Sequence, residues 1–170
     1  WLMKSPLTEN EQLFLQIKEL TTSLNHVNAY VFTKDKQLRY TYANSKVCQL
    51  FNCPLEEVIG KTDEAFFDLE TAEKLHSNDR RVINNNEHLE FEETNVIKET
   101  LEKRIYSCVK TPLHDSENNV IGLCGIASDI TIQRNLEEQV AEQTQLIEKM
   151  LANKSLMIAA ATKSLIKNIF

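Results

Sequence analysis

The stretch NVIGLCGIASDITIQRNLEEQ, residues 119–139, contains a change of hydrophobic period that restricts the fold more than any other feature. Before Asp129 the apolar residues Val120, Ile121, Leu123, Cys124, Ile126 and Ala127 are interrupted by Gly122 and Gly125. That run is too short and too rich in glycine for a helix, and reads as a mostly buried strand. After Thr131 the apolar steps become four and three, through Leu136, Val140, Gln143, Ile147 and Met150. Such spacing places one narrow stripe along a helix and suits a coiled-coil seam. Asp129 and Thr131 stand where side-chain oxygens can accept the unpaired amides of a helix's first turn. A sheet therefore feeds directly into a lever-like helix.

The chain upstream supplies the other strands of that sheet. Residues 28–33 (NAYVFT) and 38–43 (LRYTYA) alternate as half-buried strands do, around a polar tip at residues 34–37. Asn44 opens a short helix at 45–51, on which Val47, Leu50 and Phe51 share a face. A small helix begins at Pro54, and Gly60 suits the left-handed residue that ends it. Residues 70–85 read as a longer helix with Ala72, Leu75, Val82 and Ile83 buried, ending at Asn84 to Asn86. Strands at 88–96, 100–112 and 120–129 follow, the last two joined by a polar turn at 114–119.

This order of elements, the segment PLEEVIGKTDEAFF and the ending Asp129, Ile130, Thr131 together resemble the PAS family of signal-transduction sensor modules. The resemblance implies an α+β fold: a PAS-like five-stranded antiparallel sheet with short helices on one face. It divides the chain into an N-terminal amphipathic helix (1–24), a sensor domain (25–131), a signalling coiled-coil helix (132–157) and a tail or the start of an output domain (158–170). Thr8 and Glu11 form a candidate capping box, and Leu13, Phe14, Ile17, Leu20 and Leu24 give the first helix its apolar face. In the PAS family such leading helices often pack between protomers, so the resemblance implies a homodimer whose leading and trailing helices both take part. On the trailing seam the polar Gln143 can fix register at some cost in stability.

The resemblance also implies a pocket between the sheet and the short helices. Its candidate lining is Tyr30, Phe32, Tyr40, Tyr42, Asn44, Phe51, Phe66, Phe67, Leu75, Phe91, Tyr106, Cys108 and Ile126, with Thr62, Ser107 and Ser128 as further polar groups able to orient a small ligand. Sequence leaves open which parity of each strand faces inward, because a slip of one residue inverts every side chain. Asp129, Ile130 and Thr131 are the expected relay, and Leu136, Val140, Gln143, Ile147 and Met150 the expected dimer seam.

Cofactors can be weighed against particular residues. Flavin photosensors of this family carry a reactive cysteine after the glycine of the small helix, whereas Gly60 is followed here by Lys61, Thr62 and Asp63, which argues against a flavin adduct. Haem-binding members place an axial histidine on or just after the long helix. His76 and His88 occupy those places, but both lie in polar runs and read more simply as surface residues. The four cysteines, Cys48, Cys53, Cys108 and Cys124, form no CxxC pair and read as small core residues, with Cys53 the most exposed. No metal site is expected.

A net charge of −6 with interspersed lysines and arginines argues against a nucleic-acid surface. No membrane span or signal peptide is read, and the expected location is cytoplasmic. Phosphate loops, HExxH and GxSxG motifs are absent, and the acidic pairs Glu56–Glu57 and Glu92–Glu93 diverge as neighbours on any regular element must. The module is thus expected to be non-catalytic, and the resemblance implies a histidine kinase or a cyclic-dinucleotide enzyme downstream in its parent chain. A ligand-free dimerisation scaffold and a haem sensor are the competing readings.

Overall fold

In the computed structural model, residues 7–98 and 100–167 are described, and they form two units, one ending at Ile130 and one starting at Thr131. The first contains helix α1 (Glu9–His26), strands β1 (Tyr30–Asp35) and β2 (Tyr40–Ala43), helices α2 (Ser45–Phe51) and α3 (Leu55–Val58), a 3-10 turn (Asp63–Ala65), helix α4 (Leu69–Asn85), and strands β3 (Leu89–Val96), β4 (Lys103–His114) and β5 (Val120–Asp129). The five strands form one antiparallel sheet in the order β2-β1-β5-β4-β3.

Local chemistry sets the boundaries. Thr8 and Glu11 close a capping box on α1, and the Asp68 carboxylate accepts from the Thr71 amide to start α4. Asn86, with φ 53°, ends α4 in the left-handed region. Gly60, with φ 82°, turns the chain after α3, where a side chain would be strained. At the β1–β2 turn, the Asp35 carboxylate accepts from the amides of Gln37 and Arg39 and from Arg39 Nε.

That turn corrects the expected tip at 34–37. β1 continues to Asp35, and Lys34 is buried on its inner face because carboxylates meet its ammonium group there. Leu38, read as strand, is buried in the turn at φ 62°, so β2 starts two residues later, at Tyr40. β4 is displaced likewise, to Lys103–His114.

Sheet register fixes the parity that sequence leaves open. Tyr30, Phe32 and Lys34 pair with Ala127, Gly125 and Leu123, while Phe91, Glu93 and Asn95 pair with Cys108, Tyr106 and Arg104. These residues share the face covered by α2, α3 and α4. The core lies there in two clusters, one around Tyr30, Tyr40, Val47, Phe51, Val58, Phe67, Leu75 and Tyr106, the other around Leu38, Val82, Ile83, Leu89 and Leu123.

The second unit is one helix, α5 (Thr131–Lys167), of 37 residues. At 1.5 Å per residue it is about 55 Å long. It passes without a break through the expected boundary at 157–158, since nothing in residues 156–162 (LMIAAAT) disfavours helix strongly enough to stop it. The last three residues of the expected tail, and the first six of the leading segment, lie outside the described residues. Among the described residues, no helix is long and apolar enough to cross a membrane.

Candidate functional site

Behind the sheet lies an internal cavity of about 40 Å³, walled by Tyr30, Phe32, Tyr40, Phe51, Phe67, Leu75 and Tyr106 together with Lys34, Asp63, Glu93, Asn95 and Lys110. A single water needs on the order of 10–15 Å³. The space therefore accepts a few waters or a ligand of few heavy atoms.

One side of this cavity is a buried chain of charges. Lys34 Nζ donates to Asp63 Oδ2 at 2.5 Å and to Asp79 Oδ2 at 2.7 Å, and Lys110 Nζ donates to Asp79 Oδ1 at 2.7 Å. The Tyr40 hydroxyl donates to Asp63 Oδ1 at 2.7 Å. All four charged side chains are at most 2% exposed. Five elements converge on them: β1 brings Lys34, β2 Tyr40, the 3-10 turn Asp63, α4 Asp79 and β4 Lys110. Lys34 Nζ also sits 4.8 Å from the Tyr40 ring centroid, and Lys110 Nζ lies 5.6 Å from that of Phe91. Cation–π contacts of this kind are strengthened by desolvation.

Mutual pairing decides the ionisation. Burial alone would raise the Asp79 carboxyl, but Lys34 and Lys110 hold it below the ordinary carboxylate range. Burial would lower Lys110, and Asp79 with Glu93 keeps it above the ordinary lysine value. Burial and the neighbouring Asp63 push the Tyr40 phenol up. Asp79 and Lys110 thus stay ionised at neutral pH inside the core.

At the other side, Glu93 Oε1 accepts from the Cys108 thiol at 3.3 Å and from Asn95 Nδ2 at 3.2 Å. Burial first, then Glu93, pushes the Cys108 thiol up. The buried Tyr106 hydroxyl makes no hydrogen bond among the described residues. Burial raises its pKa, and the nearby Arg104 guanidinium opposes that rise.

The aromatic candidates divide. Tyr30, Phe32, Tyr40, Phe51, Phe67, Tyr106 and, with them, Leu75 are brought together at the cavity. Phe66 stacks on Phe51 at 4.0 Å, while Phe91 and Cys108 pack in the adjoining core. Tyr42 and Ile126 do not belong to the lining: Tyr42 pairs with Thr33 on the opposite parity, and Ile126 is 44% exposed on the outer face. Ser107 and Ser128 pair with each other on that outer face for the same reason. Asn44 is fully buried but serves the backbone, accepting from the amides of Val31 and Val47 and donating to Leu24 O and Ala29 O.

Neither histidine lines the cavity. His88 is exposed, whereas His76, expected at the surface, is largely covered, with Nε2 3.5 Å from Asp63 Oδ2 and Nδ1 3.5 Å from Glu64 Oε1. Among the described residues, no group of three or more His, Cys, Asp or Glu side chains could hold a metal ion.

The charged members Lys34, Asp63, Asp79, Glu93 and Lys110 are missing from the aromatic candidates, although Lys34, Lys110 and Asp79 leave a trace in the pattern. Lys34 and Lys110 continue the inward parity of Tyr30–Phe32 and Tyr106–Cys108, and Asp79 falls four residues after Leu75 on the apolar face of α4. Charge at a core-parity place is the signal.

At the exit of the sheet, Arg104 Nη1 lies 3.6 Å from Asp129 Oδ2, and the Ile130 amide donates to Ile105 O at 2.9 Å. Thr131 begins α5. On α5, Leu136, Val140, Ile147 and Met150 are exposed, as are Leu13, Phe14, Ile17 and Leu20 on α1.

Comparison with known proteins agrees with this architecture. A diguanylate cyclase of Vibrio cholerae is 36% identical over 135 residues, covering 79% of this chain and 41% of the relative. The methanogenesis regulatory histidine kinase FilI of Methanothrix harundinacea is 28% identical over 159 residues, covering 94% of this chain and 17% of the relative. The chain therefore spans less than half the length of either. A PAS domain of Colwellia psychrerythraea superposes with a TM-score of 0.58 at 18% identity, over 68% of this chain and 98% of that one. The family model described as the PAS fold matches residues 24–135, and the chain belongs to that family.

Proposed function

We propose that this chain is the sensory and dimerisation module of a longer cytoplasmic signalling protein, relaying the state of its cavity through α5 to a diguanylate cyclase or histidine kinase domain. The carrying observation is that β5 ends at Asp129 and α5 starts at Thr131, joining the cavity's sheet to a 37-residue helix by a single residue. The two relatives, both named as signalling enzymes and both much longer than this chain, support such an output. The acidic net charge supports a protein or small-molecule partner over nucleic acid. No catalytic step is assigned to the module itself.

In this reading Asp129, Ile130 and Thr131 are the relay. A ligand can shift output by no more than its differential affinity for the two helix arrangements. Replacing Asp129 by Ala removes the carboxylate beside Arg104 and is expected to weaken coupling without unfolding the sheet. The test is a chimera of this chain with a reporter kinase; unchanged signalling would overturn the relay. The small cavity favours a second reading, a ligand-free dimerisation scaffold. Native mass spectrometry against the denatured mass separates the two: added mass on a dimer supports a ligand sensor, and a dimer at the bare polypeptide mass supports the scaffold.

A further inference from the structure

The C-terminal end of α2 brings two cysteines together. Asn52 takes the left-handed conformation at φ 51°, its amide donates to Gln49 O at 3.2 Å, and the Cys53 amide donates to Cys48 O at 3.2 Å. These two bonds define a Schellman ending, in which the side chains at the places of Cys48 and Cys53 meet in a contact that is usually hydrophobic. Standard bond lengths and that amide–carbonyl distance keep the two Cα atoms within about 7 Å, close to the span a disulfide bridges. Both side chains are partly buried and pack against the same aromatic cluster. Cys53 lies between the exposed Asn52 and Pro54, so solvent reaches its backbone from either side.

The other two cysteines are engaged elsewhere. Cys108 points inward and donates to Glu93, and Cys124 leaves the opposite face of the sheet. Burial first, and then Cys53 itself, raises the Cys48 thiol. The raised Cys48 thiol suits the resolving role, and Cys53, flanked by the exposed Asn52 and Pro54, the site of first attack.

We propose that Cys48 and Cys53 form a reversible thiol–disulfide pair at the end of α2, oxidised by hydroperoxides. The Cys53 thiolate attacks one peroxide oxygen; the O–O bond breaks, giving a sulfenic acid and, after protonation of the leaving oxygen, water. Cys48 then loses its proton and attacks the Cys53 sulfur; the S–O bond breaks and a second water leaves. Two thiols and one hydrogen peroxide thus yield one disulfide and two waters. Val47, Leu50 and Phe51 of α2 line the cavity, so the oxidised pair staples the helical wall of that cavity in place.

The experiment treats the purified chain with hydrogen peroxide, blocks remaining thiols with iodoacetamide, and digests with trypsin. Residues 47–61 form one tryptic peptide holding both cysteines. The expected result is that this peptide becomes lighter by two hydrogen atoms and takes alkyl groups only after reduction. Amide exchange at Asn52 and Cys53 is expected to slow on oxidation. Cys53→Ser, with unchanged far-UV circular dichroism, is expected to leave Cys48 alkylatable after peroxide. Two alkylated cysteines in the peroxide-treated wild type, or Cys48 or Cys53 joined instead to Cys108, Cys124 or a second chain, would overturn the proposal.

Discussion

Asp79 is the residue on which the buried charges depend, because among the described residues it alone pairs with both Lys34 and Lys110. Replacing it by Ala leaves Lys110 without its ion-pair partner and Lys34 with Asp63. Removing one partner of a buried ion pair costs about 3–5 kcal/mol, and denaturant unfolding of Asp79→Ala is expected to show a loss of that order. Tyr40→Phe removes one neutral donor from the fully buried Asp63 and is expected to cost less, about 1–3 kcal/mol. Equal losses for the two variants would mean that the network is not organised around Asp79. The same residues set the pH dependence. Asp79 has a depressed folded-state pKa, so its contribution is complete above the unfolded carboxylate value of about 4 and is lost as pH falls through the lower folded value. Lys110 has a raised one, so its contribution is complete below about pH 10 and is lost as pH rises through the higher folded value. Midpoints of urea unfolding measured from acid to alkali are therefore expected to show a plateau between those limits, with its acid edge shortened in Asp79→Asn.

At the level of elements, the two glycines of β5 carry unequal constraints. A Cβ on Gly122 would collide with the backbone carbonyl of Lys34 across the strand pair, whereas one on Gly125 would meet the far end of the Phe32 ring. A ring can turn aside and a paired strand cannot. Gly125→Ala is expected to cost about 1–3 kcal/mol, as overpacked cores do, and Gly122→Ala more, with thermal unfolding as the measure; the reverse order would refute the distinction. These glycines also show what sequence makes legible. A short apolar run and its glycine punctuation locate β5 to the residue, and Asn44 announces α2 because an N-cap acts through its own immediate amides. The limits of β1 and β4 were misplaced because they depend on partners far along the chain. Lys34 reads as hairpin tip until Asp63 and Asp79, 29 and 45 residues away, are seen to cover its charge. The candidate site was legible for the same reason in its aromatic part and illegible in its charged part: apolar side chains advertise burial singly, whereas a charge is buried only in company. Tyr42 and Ile126 were misassigned by parity, which register alone decides.

At the scale of the whole molecule, two helices present apolar faces that their own units do not cover. On α5 these are Leu136, Val140, Ile147 and Met150 at seam spacing, each more than half exposed. On α1 they are Leu13, Phe14, Ile17 and Leu20. A second copy of the chain, with the α5 seams paired, would bury the first set, and Gln143 would then face its own counterpart. Burying a large aliphatic side chain stabilises by about 1.5–3 kcal/mol, and each 1.4 kcal/mol is tenfold in affinity. Ile147→Glu is therefore expected to raise the dimer dissociation constant at least about tenfold in sedimentation equilibrium, since it removes that burial and sets two like charges face to face in the seam. Gln143→Leu is expected to shift the constant the other way, because a polar seam residue trades stability for register. The pair of variants also tests the relay. If the seam transmits the state of the cavity, Gln143→Leu should tighten the dimer and blunt the response of a reporter kinase chimera together, since without the residue that fixes register the seam no longer holds the particular arrangement that the cavity selects. A tighter dimer with an undiminished response would place the relay outside the seam, and an Ile147→Glu dimer of unchanged affinity would remove the seam from the assembly altogether.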